Sequence, residues 1–522
     1  MHFRFSALLA GVLLALSVHA LPSPKPNPNP TPAPGGLVTL PLHRVEQRSN
    51  VHPLIAHQQN INRSQRRYAR MTGRREPTTE ELHENLRKRV LAVEGEQGLE
   101  RRYNRIGVPK KSKTAGSGAV LASGAARNRK GKGQGNGRIK GNGKGIAAGG
   151  AAGAGAGAAA GASAGAAAGA SAAAPDKVTP ANQPSAANSL GLDIEANDVG
   201  YLATIQMGTP SQDFLILMDS GSADLWVGAE NCQSQAGGGC GNHKFLGPQG
   251  SNTFQDTQTP FQVTYGTGQV SGSIVQDDIV VAGLALKGHT FGVATTESVE
   301  FSDNSTPFDG LMGLAQSTLS QQQTLTPIEA MAKAGLVKDA ITSYKISRLA
   351  DNKNDGEITF GGLDTTKFDQ QTLVTLKNVN KQGFWEGAMD AVSVDGTDVG
   401  LQGRTAILDT GTTLIIAPAA DAAAVHKNIQ GAKSDGQGGF TVPCTTTASV
   451  ALTFGGTTFA IDPRDIAFQP VDPANPNGDC ISGISSGQIG GATEWLVGDV
   501  FLKNAYFSTD VTKNTVSLAK LV

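Results

Sequence analysis

The chain has 522 residues, with 44 basic and 44 acidic side chains, 66 glycines, 25 prolines and four cysteines. That length excludes a single compact core and predicts two or three domains. The balanced charge conceals two opposed parts: residues 1–185 hold 27 Lys or Arg against 9 Asp or Glu, and residues 186–522 hold 17 against 35. The parts should attract at neutral pH and lose that attraction as carboxylates protonate. An acid-released pro-segment would behave so, and a solvated basic linker would carry the same charge.

Residues 1–20 read as a secretory signal, with Arg4 at the positive end, an apolar stretch from Leu8 to Leu16 and a Val18-His19-Ala20 cleavage site. The apolar stretch is short for a membrane span, no comparable run follows, and the Ser-Leu-Ala-Lys-Leu-Val ending lacks a lipid-anchor tail. A soluble, exported monomer is expected, extracellular or vacuolar. Residues 21–105 form the expected pro-segment. It opens with a Pro-rich stretch and contains a helix over Thr79–Leu91 and paired basic residues at Arg66-Arg67, Arg74-Arg75, Lys88-Arg89 and Arg101-Arg102 that read as processing sites. Residues 106–189 are Lys/Gly-rich and then almost purely Ala/Gly/Ser, which cannot bury enough apolar surface to order itself. We therefore expect a flexible tether and a largely disordered basic pro-region. The basic linker could also hold cell-wall polyanions, whereas nucleic acid is not expected, since the segment has no interleaved aromatic residues.

From about Leu190 the texture changes to short β-branched and aromatic runs separated by turn residues, among them Tyr201–Met207, Phe214–Met218, Phe261–Tyr265 and Phe384–Val394. This is the rhythm of an all-β fold with a few short helices, here expected at Pro327–Ala334 and Pro418–Ile429. The cysteines all fall in this part and allow three pairings. Local pairing, Cys232–Cys240 and Cys444–Cys480, gives one bridge to each half and is favoured. Zinc is not expected, because no Cys-x-x-Cys occurs and His243 is the only nearby histidine.

Two short acidic signatures carry the chemistry: Leu217-Met218-Asp219-Ser220-Gly221-Ser222 and Leu408-Asp409-Thr410-Gly411-Thr412. Each sets a carboxylate after an apolar run, in a turn that Gly221 or Gly411 makes sharp enough to aim backbone N–H groups at the acid. A single copy would be an ordinary Asp turn. Each copy, however, is followed at similar spacing by an apolar-apolar-Gly step, Leu311-Met312-Gly313 and Leu496-Val497-Gly498, which argues for two homologous lobes. Two facing carboxylates can share one proton, so one activates water while the other protonates a leaving amine. The hydroxyls of Ser222 and Thr412 can bond the outer carboxylate oxygens, and those of Ser220 and Thr410 can brace the loops against each other.

These motifs, with Trp226 in Asp-Ser-Gly-Ser-Ala-Asp-Leu-Trp and Tyr265-Gly266-Thr267-Gly268 as a flap tip, resemble the pepsin-type (A1) aspartic endopeptidases, secreted fungal type, over residues 195–522. The resemblance implies a bilobal fold, lobes at about 190–372 and 373–522, a catalytic dyad of Asp219 and Asp409, and no metal or organic cofactor. It implies that Tyr265, Gly266 and Thr267 contact bound peptide, that Trp226 supports the flap tyrosine, and that Leu217, Phe308 and Leu311 line the pocket before the scissile bond. Protein and peptide substrates, pepstatin-type inhibitors and the chain's own pro-segment are the expected partners. Thr267 is not acidic, so large apolar residues should be preferred over Lys before the cut. The pattern departs in Ser220, where the family more often has Thr, and in the long pro-region, which leaves the blocking basic residue unassigned.

Rival motifs are weaker. Gly483-Ile484-Ser485-Ser486-Gly487 matches a serine-hydrolase elbow, but no histidine follows His426 to complete that order. A catalytically silent binding protein would normally have lost an Asp or the flap. Asn304 and Asn62 head glycosylation sequons.

Overall fold

The computed structural model describes residues 38–44, 51–71, 73–104, 181, 192–195, 200–265, 268–304, 306–487 and 493–522. The expected signal, the Pro-rich stretch, the Lys/Gly- and Ala/Gly-rich segment, and Gly266 and Thr267 of the expected flap tip lie outside the described residues.

The strand Gln212–Asp219 shows how the first lobe is built. Phe214, Ile216 and Met218, two residues apart, are buried in the main core. Leu215 and Leu217, on the opposite face, pack on a second cluster that holds Trp226, Tyr265, Phe308 and Leu311. One strand thus joins the structural core to the wall of the cleft. It pairs antiparallel with Gly200–Met207 and parallel with Gly310–Gly313, which in turn runs antiparallel to Leu225–Ser234. The strands Gln255–Thr264 and Gln269–Val281 form a long hairpin with Tyr265 at its turn.

The second lobe repeats the plan. Arg404–Leu408 runs parallel to Glu494–Val497, and Ile415–Pro418 lies antiparallel on that strand's other side. Both apolar-apolar-Gly steps therefore lie beside the acid-bearing strand of their own lobe. Their glycines permit the approach: a Cβ on Gly498 would sit 2.6 Å from the Thr412 carbonyl carbon, and one on Gly313 2.5 Å from Ala223 Cα. The stretch expected as one strand over Phe384–Val394 is two, Glu386–Met389 and Ala391–Val394, in different sheets. Asp390 makes the break, bonding Thr453 O through its N–H and Gly456 N through its carboxylate. The expected helices occur at Pro327–Lys333 and Ala419–Lys427. The cysteines are bonded locally, Cys232 to Cys240 and Cys444 to Cys480.

A third sheet segment contains Ile341–Lys345, Glu357–Phe360, Val374–Lys377, Tyr506–Asp510 and Thr515–Ala519, so the chain's last strands pair with strands from its middle. Into this layer runs β1 (Val38–Arg44), from the stretch expected as a pro-segment, antiparallel to Glu357–Phe360 and parallel to Asp193–Glu195.

Two helices follow, α1 (Pro53–Met71) and α2 (Thr79–Asn104). Only the first half of α2 was expected from sequence. Thr78 and Glu81 cap it reciprocally, and Gly95, at φ 67°, kinks it. On α1 the buried positions Ile55, Gln58, Ile61, Ser64, Tyr68 and Met71 recur every three or four residues, the spacing of one helical face. That face packs on strands Ile415–Pro418, Asp479–Ser482 and Ile484–Gly487 of the second lobe.

Candidate active site

Asp219 ends its strand and Asp409 follows Arg404–Leu408, and neither side chain is exposed. Their surroundings match almost atom for atom. Asp219 Oδ1 accepts from Gly221 N at 2.9 Å and Oδ2 from Ser222 Oγ at 2.5 Å; Asp409 accepts from Gly411 N at 2.9 Å and Thr412 Oγ1 at 2.5 Å. Behind the acids the lobes are braced together. Ser220 N donates to Thr410 Oγ1 (2.9 Å), Thr410 N to Ser220 Oγ (3.0 Å), and the two hydroxyls donate to Leu408 O (3.2 Å) and Met218 O (2.9 Å). Ser220 makes these bonds without the methyl a Thr would add. Neither turn glycine tolerates a side chain: a Cβ on Gly221 would lie 2.6 Å from Asp409 Cγ, and one on Gly411 2.7 Å from Asp219 Cγ.

Between the carboxylates lies the guanidinium of Arg67 from α1. Its Nε donates to Asp409 Oδ2 (2.5 Å), and its Nη2 donates to Asp409 Oδ1 (2.7 Å) and also to Asp219 Oδ1. Both acids therefore reach one nitrogen atom. Burial opposes a charge on Arg67, but Asp219 and Asp409 outweigh it and hold the guanidinium charged. Burial raises the Asp409 carboxyl above the ordinary carboxylate range; Arg67 pulls it down and Asp219 pushes it up.

Arg67 is the residue that sequence reading left unassigned. It lies on α1 between the buried Ser64 and Tyr68. Arg66-Arg67 was read as a processing pair, which concealed that role. Other basic side chains of residues 51–104 also find carboxylates of the two lobes. Arg74 Nη2 meets Glu494 Oε2 at 2.9 Å, and Arg89, itself buried, meets Asp435 Oδ2 at 2.6 Å. These contacts give a structural form to the charge asymmetry between the two parts of the chain. Tyr68 adds a hydrogen bond from its hydroxyl to Glu494 O at 2.6 Å.

Tyr265 is buried, with its hydroxyl accepting from Trp226 Nε1 at 2.7 Å. Burial raises this phenol well above its ordinary range, which keeps it neutral. Leu217, Phe308 and Leu311 gather in the apolar cluster beneath it. Asn304 is exposed; Asn62 lies within α1, with its amide nitrogen donating to Leu82 O at 2.9 Å. Ser485, the centre of the elbow-like motif, is buried in strand Ile484–Gly487. His57 Nε2 lies 3.4 Å from its hydroxyl, but among the described residues His57 Nδ1 has no hydrogen-bond partner and no orienting carboxylate completes a triad.

Two matched lobes, each presenting one carboxylate in a braced turn, with a long hairpin in the first, define the bilobal aspartic-protease class. Residues 200–521 match the family described as eukaryotic aspartyl protease. The chain belongs to that family. It is 37% identical over 340 residues to a probable aspartic-type endopeptidase CTSD of Trichophyton verrucosum, covering 65% of this chain and 64% of that one. It is 35% identical to aspartic-type endopeptidase ctsD of Aspergillus fumigatus (66% and 70% covered) and 31% identical to pepsin A of Sus scrofa (66% and 88% covered). The chain thus spans just under two thirds of the length of the first of these relatives.

Proposed function

We propose that this chain is the zymogen of an exported endopeptidase that hydrolyses peptide bonds in proteins at acid pH, with Asp219 and Asp409 as its catalytic dyad. The observation that carries this reading is the Arg67 guanidinium, bonded to both acids where a substrate's reacting atoms would lie. Once Arg67 leaves, the dyad holds a water and shares one proton. The water oxygen attacks the scissile carbonyl carbon, the ionised carboxylate takes the water's proton, and the protonated partner donates to the carbonyl oxygen. The resulting gem-diol collapses as the C–N bond breaks: the amine takes a proton from one carboxyl and a gem-diol hydroxyl gives its proton to the other, leaving a carboxylic acid and a dyad that again shares one proton. The turn N–H groups and the hydroxyls of Ser222 and Thr412 stabilise the carboxylate throughout.

The apolar cluster that holds Leu217, Phe308 and Leu311 supports a preference for large apolar residues before the cut. Tyr265, with Gly266 and Thr267, would close over the peptide. Residues 1–20 would be the signal, 21–105 the pro-segment, 106–189 the tether, and 190–372 and 373–522 the lobes. No described helix is long and apolar enough to cross a membrane, and the mature enzyme is proposed to act as a monomer outside the cell or in a vacuole, glycosylated at the exposed Asn304. No metal or cofactor takes part in the proposed chemistry.

The test is incubation of the full chain in acid with and without a pepstatin-type inhibitor, followed by casein digestion and N-terminal sequencing. Digestion should appear with loss of the pro-region, stop with inhibitor, and be absent in Asp409→Asn. Undiminished digestion by Asp409→Asn would refute the dyad, and faster cleavage after Lys than after Phe would refute the preference.

A further inference from the structure

The strands Leu225–Ser234 and Leu284–Glu297 run parallel, and at their shared end the first-lobe disulfide meets a single carboxyl. The Cys232 and Cys240 sulfurs and a Glu297 carboxyl oxygen lie within 4.8 Å of one another, and all three residues are buried. Packing holds the acid there: a Cβ on Gly228 would stand 3.1 Å from Glu297 Oε1 and 2.7 Å from Phe245 Cδ1, so only glycine leaves it room. No charged group contributes to the state of this acid. Burial alone raises its pKa to about 8, so at acid and neutral pH Glu297 keeps a proton beside the bridge.

The same corner is tied to the hairpin that ends at Tyr265. Glu297 pairs with Val270 of the hairpin's second strand and with Ser234 of the cysteine loop, and Gln235 N donates to Glu297 O at 2.8 Å. Ser298 N donates to Gln269 O (2.9 Å), and Gln269 N donates to Ser298 Oγ (3.1 Å). Ser234 Oγ and Ser302 Oγ lie 2.7 Å apart. Phe301 stands edge-on to Tyr265, with ring centroids 5.5 Å apart, and to Trp226 at 5.3 Å. Residues 297–302 thus touch the bridge at one end and the hairpin tyrosine at the other. Breaking the S–S bond moves two buried sulfurs from bonding to van der Waals distance in a packed site, and the displacement falls on Glu297.

We propose that the Cys232–Cys240 bridge and the Glu297 carboxyl form a thiol-sensitive switch on the hairpin over the dyad: the bridge clamps Tyr265 for peptide binding, and Glu297 supplies the proton by which a small thiol opens the bridge. The thiolate attacks one sulfur, the S–S bond breaks, and the departing cysteine sulfur takes the Glu297 proton, which the carboxyl recovers from solvent. A second thiolate attacks the mixed disulfide and the other cysteine leaves in the same way. Two thiol groups are oxidised to a disulfide, and the bridge gains two electrons and two protons. In acid, thiolates are scarce and the bridge persists; above about 8 the carboxyl has lost its proton. The clamp rests on the endopeptidase reading, and the proton step does not.

The experiment treats the full chain with dithiothreitol at pH 7 and reads each cysteine pair by timed alkylation and peptide mass, with Cys444–Cys480 as internal reference. Glu297→Gln should slow the opening of Cys232–Cys240 on the order of tenfold, less than a positioned acid usually gives because a thiolate already leaves readily, and should leave the reference pair unchanged. A variant that only loosened the fold would open the first pair faster. After acid maturation, the reduced enzyme and the Cys232→Ala/Cys240→Ala variant should show KM raised about fivefold, the worth of one aromatic contact to Tyr265, with kcat within about twofold. Equal opening rates in the two chains overturn the role of Glu297, and an unchanged KM overturns the clamp. If the double variant does not fold, the reduced unaltered enzyme gives the KM. A chain that digests nothing removes the endopeptidase reading and the clamp with it, while the alkylation rates still decide the proton step.

Discussion

Arg67→Met tests the latch directly, because methionine keeps an unbranched stem and deletes the guanidinium. The lost group makes three charge-assisted hydrogen bonds to two fully buried carboxylates, and its own side chain is only 12% exposed. Removing one partner of such a buried pair costs about 3–5 kcal/mol. Here the acids can share a proton once the cation is gone, so we expect the lower end, about 3 kcal/mol, or on the order of 100-fold more open cleft. The assay is the initial rate on a short fluorogenic peptide, in mild acid, with gels confirming that the chain is uncut. The unaltered chain should show a lag while it matures, and Arg67→Met should act from the first seconds. Arg67→Lys should restore part of the lag, since an ammonium keeps the charge without the planar fork that spans both acids. An unchanged lag in Arg67→Met, with pepstatin-type ligands still excluded, would refute the reasoning.

Two pH predictions follow from buried groups. His57, packed between Arg89, Asp435 and Ser485, has its pKa lowered from 6.5 to about 4, chiefly by burial, so the docked pro-region holds it neutral. A lowered pKa means docking is strongest above 6.5 and weakens as pH falls toward 4, by about 3 kcal/mol in all. His57→Gln should shift the pH midpoint of pro-region release downward, read by size exclusion; a midpoint that stays put refutes the role. Glu297, in the first lobe, has its pKa raised from 4.5 to about 8 by burial, so its contribution is intact below 4.5 and is lost as pH rises through 8. Glu297→Gln should narrow the Tm difference between pH 5 and pH 8, within the several-degree range that one to a few kcal/mol produces in a domain of this size; an unaltered difference would show that Glu297 does not set it.

The dyad was legible in sequence because its determinants are local. Each Asp receives its hydrogen bonds from residues two and three positions on, so Asp-Ser-Gly-Ser and Asp-Thr-Gly-Thr carry the geometry within four letters. Trp226 and Tyr265 were legible through a resemblance, and their bond spans 39 residues that spacing alone would not connect. Arg67 was not legible as the plug. Its partners lie 152 and 342 residues away, and one Arg among many in a basic stretch carries no local mark of its destination. The helical stripe of α1 was available, but polar residues such as His57, Gln58 and Ser64 occupy its buried positions and mute the apolar pattern. β1 was hidden for a similar reason: it borrows its partners from residues 193–195 and 357–360, and Pro41 argues against a strand when read alone.

The seven-residue length of β1 gives the pro-region a second hold, independent of Arg67. Backbone ladders do not respond to the protonation of acids, so lowering the pH can eject the arginine without unzipping the strand. A cut in the chain after Arg44 would therefore leave a stub still woven into the molecule, and unmasking the two acids would precede shedding of the peptide by however long that stub takes to peel away.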